Sequence, residues 1–352
     1  MSSWAPLALA GVTAALLAVP VTPALYELWK RADATPLPTS RHDGRVGNFA
    51  EVCRSRLQPL LPQLEACRNQ REISRTSIEG MEVLLVGRDD FDFDPRLTEG
   101  VAAVMLSEAA LIPPGYVVEA DVYTAIGLDL GERAALRAAL CEGDIILGEN
   151  SAVLRWLHAD GSIFLRRGST AYGRLSAGRS LRLEPGCGFQ RMYAPQITTI
   201  DSDHPDDVSL DGELEPADVS DMFESSRPRL RIQGNFVLPA GETLNANVIA
   251  TGEIHIGSGA RLVGSVKSYK NTVLKEDACV LGSIVSGGTM RLGPHSFVAG
   301  PLMAEGDVLI ARGSRVGRPD ALTTVSSSGV QIAAGCQLHG TVWARVRGNV
   351  EA

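Results

Sequence analysis

The 352-residue sequence predicts an all-β protein made of two triangular parallel β-helix blocks, and three observations predict this class. Apolar residues recur every six positions from Leu238 to Val316, a period that fits neither an α-helix nor a simple strand. Every third step is the most alike, so that Leu238, Ile256 and Leu274 stand 18 residues apart. Aromatic residues make up only 5% of the chain, which also holds 36 glycines, a composition typical of thin repeated layers.

The N-terminal segment, residues 1–31, is predicted to be a transmembrane anchor. The stretch from Ala5 to Trp29 carries one charged side chain, Glu27, and is long enough to cross a hydrocarbon core of about 30 Å. A cleaved signal peptide is the alternative, but no basic residue precedes the apolar stretch. Because Lys30 and Arg31 follow it, we expect a single-pass protein of the inner, cytoplasmic membrane with its body in the cytoplasm.

Residues 32–99 are predicted to form a polar tether followed by a small helix and strand region. Asn48 and Glu51 have the spacing of a capping box, which indicates the start of a short helix. Pro59 and Pro62 are expected to limit that helix. Residues 81–87 read as a strand, and nothing in this region suggests a catalytic role.

The β-helix blocks are predicted at residues 100–197 and 228–352. In the first block, Ile145, Ile163 and Leu181 stand 18 residues apart, as the apolar residues of the second block do. One column of the second block contains only residue types that tolerate a positive φ, which predicts a left-handed corner in every turn. Its members are Gly241, Gly259, Asp277, His295 and Gly313.

The charge pattern divides the two blocks. Residues 201–224 hold ten Asp and Glu and no Lys or Arg, so residues 198–227 are predicted to be an acidic flexible linker. The formal net charge of −8 comes from this segment, and we therefore expect no nucleic-acid partner. The six cysteines form no C-x-x-C pair and have no His at zinc spacing, so we expect neither a metal nor a cofactor.

Two sets of residues are candidates for binding. Arg137, Arg155 and Arg174 stand nearly 18 apart, which indicates either a ladder that binds anions or a solvated edge. The end turns of the second block should expose unpaired strand edges, since a β-helix has no partner strand beyond its last turn. The residues predicted for self-association at these ends are Phe236, Leu238, Ile332, Leu338 and Val342.

Three segments of the second block resemble the bactofilins, the polymer-forming cytoskeletal proteins of bacteria. They are "GSVKS" at 264–268, "GPLMAEGDVLI" at 300–310 and "HGTVWAR" at 339–345. The resemblance implies a right-handed β-helix that polymerises end to end without nucleotide, on the inner membrane, as a scaffold for envelope-building proteins. This chain departs from that pattern in its second block, its large N-terminal region and its membrane span.

An enzyme is the alternative. "IGSGAR" at 256–261 and "LGPHSF" at 292–297 also resemble the hexapeptide acyltransferases, whose left-handed β-helix implies a catalytic His beside a coenzyme A groove. His295 falls in the corner column, which leaves His158, next to Trp156, as the best candidate base. No loop large enough to build a groove accompanies it, so we expect no enzyme and no catalytic residue. A third interpretation is a non-polymerising module that binds anionic glycans through the arginines.

Overall fold

The computed structural model describes residues 46–89, 91, 93, 95–200 and 227–351, and near the N-terminus residues 4, 9–13, 17, 19 and 22. The chain divides into two units, Met1–Asn48 and Phe49–Ala352. In the first unit, residues 9–13 are helical. No helix among the described residues is both long and apolar enough to cross a bilayer. The predicted span at 5–29 lies mostly outside the described residues, as do the tether and most of the acidic linker.

The helical elements come first in the described chain, and 30 strands follow in one hydrogen-bonded sheet. The helices are α1 (Asn48–Leu57), a 3-10 turn (Gln58–Leu60), α2 (Leu61–Gln70) and α3 (Pro95–Thr98). The first thirteen strands are β1 (Ile73–Ile78), β2 (Met81–Val86), β3 (Ala103–Leu106), β4 (Ala110–Ile112), β5 (Val117–Thr124), β6 (Gly127–Leu130), β7 (Ala135–Cys141), β8 (Asp144–Leu147), β9 (Ala152–Ala159), β10 (Ile163–Leu165), β11 (Thr170–Ala177), β12 (Ser180–Leu183) and β13 (Gly188–Thr199).

The remaining strands belong to the second solenoid. They are β14 (Arg229–Ile232), β15 (Phe236–Leu238), β16 (Thr243–Leu244), β17 (Asn247–Ala250), β18 (Ile254–Ile256), β19 (Arg261–Leu262), β20 (Val266–Ser268), β21 (Thr272–Leu274), β22 (Cys279–Val280), β23 (Ile284–Ser286), β24 (Met290–Leu292), β25 (Phe297–Val298), β26 (Leu302–Ala304), β27 (Val308–Ile310), β28 (Arg315–Val316), β29 (Thr323–Ile332) and β30 (Gln337–Val350).

The predicted β-solenoid is confirmed, with about 13 turns in all. In the second solenoid each strand pairs in parallel with the strand three places further along, so every turn has three sides. Ile256, Leu274 and Leu292 stack in register and are at most 2% exposed, which confirms the predicted inward column. Stacking like on like lets each turn bury the apolar side chains of the next.

The left-handed corner of the second solenoid is also confirmed. All five members of the predicted column have a φ between 55° and 74°, including Asp277 and His295. Glycine is required at a second place, where successive turns approach closely. A Cβ at Gly282 would collide with the carbonyl oxygen of Gly264, its equivalent one turn earlier. The 18-residue glycine spacing therefore follows from backbone contact between turns.

The first solenoid uses longer strands that cover two sides of a turn and bend at a corner. The register of the ladder shifts at this corner between β5 and β7, between β7 and β9, and between β11 and β13. Helices α1 and α2 cover the outer face of one side, where Leu57, Leu64 and Cys67 pack on Leu85 and Met105. Pro59 and Pro62 do not end the helical region, because each lies in the first turn of the next helix, where proline is tolerated. Strand β2 confirms the strand predicted at 81–87.

Aromatic side chains close the start of the first solenoid. Phe91 and Phe93 are buried within its core and their ring centroids lie 5.1 Å apart. Tyr116 packs against the same core, 6.4 Å from Phe93. The apolar interior is therefore covered at this end, as an exposed core would otherwise remain open to water.

The two solenoids meet at their C-terminal turns. Strand β13 of the first pairs in antiparallel register with β30 of the second, with Ile197 opposite Leu338 and Met192 opposite Val342. These four side chains are no more than 1% exposed and belong to one core cluster that runs through both solenoids. The predicted blocks thus form a single compact body in which one sheet continues across the junction.

Candidate functional site

The first turn of the second solenoid, formed by β14, β15 and β16, is a candidate binding edge. Within the described residues each of these strands pairs on one side only, with β17, β18 and β19 respectively. Phe236 and Leu238, predicted for self-association, lie in this turn. We call this set of three strand edges the open turn.

Alternate residues of the open turn direct their backbone polar groups away from the solenoid. The N–H of Phe236 donates to Glu253 O at 2.8 Å, and Leu238 O accepts from the N–H of Gly257 at 2.8 Å. Since neighbouring residues of a strand point their N–H and C=O in opposite directions, Val237 faces the open side with both groups. By the same argument Arg229, Arg231 and Thr243 face it from β14 and β16, where Pro228, Ile232, Glu242 and Leu244 accept hydrogen bonds from the next turn.

Apolar side chains accompany these backbone groups. Val237 is 62% exposed, and Leu230 is 37% exposed. Phe236, Ile232 and Leu244 point toward the core but are only partly buried, whereas their equivalents one turn later are fully buried. An unpaired edge with exposed core residues is a template for another strand.

The other predicted end of the second solenoid has a different environment. Leu338 and Val342 lie in β30, and the outer edge of this strand pairs with β13 of the same chain. Ile332 is buried and pairs with Val350. The expectation that this end is an open turn is therefore wrong, because the first solenoid occupies it. The sequence gave no sign of this pairing, since it joins segments about 140 residues apart that share no repeat.

The three predicted arginines do not form one column. Arg137 bonds Asp121 through Nε at 2.8 Å and donates from Nη2 to Ala102 O. Arg155 lies at the corner, where a Cβ on the facing Gly173 would collide with the Arg155 carbonyl, whereas Arg174 stands in register with Trp156 and with Arg191. The bulges at the corner shift the register and separate residues that the 18-residue spacing aligned.

His158, the best sequence candidate for a base, belongs to a chain of polar contacts. Its Nδ1 lies 2.7 Å from Ser176 Oγ, and its Nε2 lies 3.0 Å from Asp160 Oδ1. Arg54 of α1 binds the same carboxylate, with its Nη2 2.6 Å from Asp160 Oδ2. Burial lowers the pKa of His158, although the hydrogen bond from Asp160 opposes this shift. A neutral imidazole with its proton on Nε2 satisfies both contacts.

This chain of contacts has the residue types of a catalytic triad in a different arrangement. Ser176 is 1% exposed, so its Oγ is not accessible as a nucleophile, and the exposed end of the chain is the Asp160–Arg54 ion pair. The contacts instead hold helix α1 on the outer face of β9 and β11, beside the packed rings of Phe49 and Trp156. We interpret the cluster as a structural clamp that the sequence did not predict.

Other groups in the described part of the chain are similarly committed. All six cysteines are reduced and unpaired, and burial raises the pKa of the Cys141, Cys187 and Cys336 thiols to about 11. Tyr123 donates to Glu142 Oε1 at 2.7 Å beneath α1. Within the described residues, no three His, Cys, Asp or Glu side chains are grouped so that they could hold a metal ion.

Comparison with known proteins identifies no relative. No family model matches the chain, and neither the curated proteins nor the solved structures provide a match. The likeness to bactofilins therefore depends on the segments quoted above and on the solenoid fold.

Proposed function

We propose that this chain is a bactofilin-like scaffold that associates end to end through the open turn and organises envelope or exopolysaccharide machinery at the inner membrane. The observation that carries the proposal is the edge at Val237, Arg229, Arg231 and Thr243, which offers unpaired backbone groups next to exposed apolar side chains. A matching edge from a second copy would satisfy these groups by strand addition. The predicted N-terminal span would raise the local concentration of the chain and favour this contact.

The arrangement of ends favours a closed pair of molecules over a filament. A filament needs two different complementary ends, whereas the same end meeting itself about a two-fold axis gives a closed dimer. In the described chain, the C-terminal turns of both solenoids are joined to each other, and aromatic rings fill the start of the first. The proposal is therefore an end-to-end dimer that presents two first solenoids outward.

The test is the oligomeric state of the full chain in mild detergent, measured by sedimentation velocity. The native protein should sediment as a dimer, and Val237→Lys should raise the dissociation constant about 100-fold, because like charges would face each other across the contact. Val237→Pro removes one donor from the open edge and leaves the pairing with β18 intact, so it should have the same effect. Met303→Lys is the matched control, because Met303 is 47% exposed on a strand that is paired on both sides.

The outcomes separate clearly. A native chain that stays monomeric at about 100 µM would overturn the proposal, since a specific interface should assemble well below that concentration. Equal loss of the dimer in the Val237→Lys and Met303→Lys variants would place the contact elsewhere. Filaments in electron micrographs would retain self-assembly and overturn the closed dimer.

A further inference from the structure

The corner where the two solenoids join exposes an apolar and basic surface. Leu154 of β9, Tyr172 of β11, and Trp343 and Val346 of β30 are 51%, 61%, 40% and 73% exposed. They lie on neighbouring strands, because β9 pairs with β11, β11 with β13, and β13 with β30. Three strand spacings of about 4.8 Å put the whole set within about 14 Å.

Arginines surround these apolar side chains. Arg155, Arg174, Arg191, Arg345 and Arg347 lie on the same four strands, and these strands contain no Asp or Glu. The Arg191 guanidinium lies 4.9 Å above the ring of Trp343 and so fixes the position of that ring. Among the described ion pairs none involves Arg155, Arg174, Arg345 or Arg347, so the positive charge of this corner is not neutralised locally. We call this surface the junction patch.

We infer that the junction patch docks the body of the protein on a bilayer that contains anionic phospholipids. Aliphatic tips such as Leu154 and Val346 gain free energy by entering the acyl boundary, and Trp and Tyr rings are suited to the headgroup layer. Arginine forms paired hydrogen bonds to phosphate oxygens. The inference rests on the membrane location within the proposed function and not on self-association.

Other occupants fit the patch less well. An acidic polysaccharide or a nucleic acid would use the arginines and the rings, but it would leave Val346 and Leu154 without an apolar partner. A second copy of the patch would bring five arginines against five, and such like charges repel each other. Lipid is the partner that uses both the charge and the exposed aliphatic side chains.

A fluorophore at the patch provides a local test in the full chain reconstituted into vesicles. Val346→Cys labelled with an environment-sensitive dye should shift to shorter wavelengths in vesicles with about 30 mol% phosphatidylglycerol and remain unshifted in pure phosphatidylcholine. Salt at about 1 M should reverse the shift. Val237→Cys, 62% exposed at the open turn, is the control label, and both variants retain the partly buried Cys53 and Cys279 as a common background.

Charge variants connect the shift with the arginines. Arg155→Gln with Arg347→Gln should weaken docking about 25-fold, since each basic residue near an anionic surface contributes about fivefold. The matched control is Arg229→Gln with Arg231→Gln, which removes the same charge from the open turn. An equal shift in neutral vesicles, equal loss in both double variants, or a shift with an acidic polysaccharide or nucleic acid in place of lipid would overturn the inference. Val237→Lys should leave the shift unchanged, so failure of self-association and failure of docking give different results.

Discussion

Removing the side chain of Leu338 should destabilise both solenoids together. Leu338 is 1% exposed and lies opposite Ile197, which is fully buried, so Leu338→Ala leaves a cavity where the two cores meet. Truncation of a buried leucine costs about 2–5 kcal/mol, and we expect about 3 kcal/mol here because the paired strands on either side limit collapse. That loss is a substantial part of the roughly 5–15 kcal/mol that stabilises a typical protein.

The assay is urea unfolding followed by circular dichroism and by tryptophan fluorescence. Ile197→Ala should cost a similar amount, and the double variant should show a coupling of about 0.5–3 kcal/mol because the two residues are neighbours across the junction. Met303→Ala is the control, since truncation of an exposed side chain should change the free energy of unfolding by less than about 0.5 kcal/mol. A cost for Leu338→Ala as small as that of the control, or additive single variants, would refute the packing at the junction. Two separate unfolding transitions in the native chain would refute the single body.

Two further predictions concern the core and the clamp at α1. Leu274→Asp buries an unpaired charge in the inward column and should cost about 3 kcal/mol or more in urea unfolding, whereas Val273→Asp, on the outward side of the same strand, should cost much less; equal costs would contradict the column. The pKa of His158 is lowered on folding, so below its unfolded value near 6.5 the unfolded chain binds more protons and stability falls as the pH falls toward the folded pKa. The urea midpoint should therefore decrease between pH about 7.5 and about 5.5, and His158→Gln should flatten this decrease; an unchanged slope would show that His158 does not contribute.

The residues that were predicted correctly belong to contacts between one turn and the next. Ile256 meets Leu274 because 18 residues complete one turn, and His295 has a positive φ because its column neighbours are glycines. Each of these contacts involves a short, constant separation along the chain, so the sequence period reports it directly. Phe236 and Leu238 were placed in an end turn on the same grounds, because the repeat begins there.

The candidate sites depended on departures from the repeat, which the period does not report. Arg137, Arg155 and Arg174 were aligned by their spacing, but a bulge shifts the register by one residue at each corner. The clamp of Arg54 on Asp160 and His158 joins residues more than 100 positions apart. A one-residue shift changes which side chains are neighbours without leaving any periodic trace.

The sequence by itself determined the solenoid, its inward columns, its left-handed corners and the start of the second repeat. These properties arise from residue type and a fixed separation, and each turn contacts only the turns beside it. The tertiary structure alone decided that the two solenoids join through β13 and β30, that Leu338 and Val342 are interior, and that Trp343 and Val346 meet Leu154 and Tyr172 on one surface. Two strand edges with similar apolar patterns can pair in many ways, and only the burial of both cores at once selects this one.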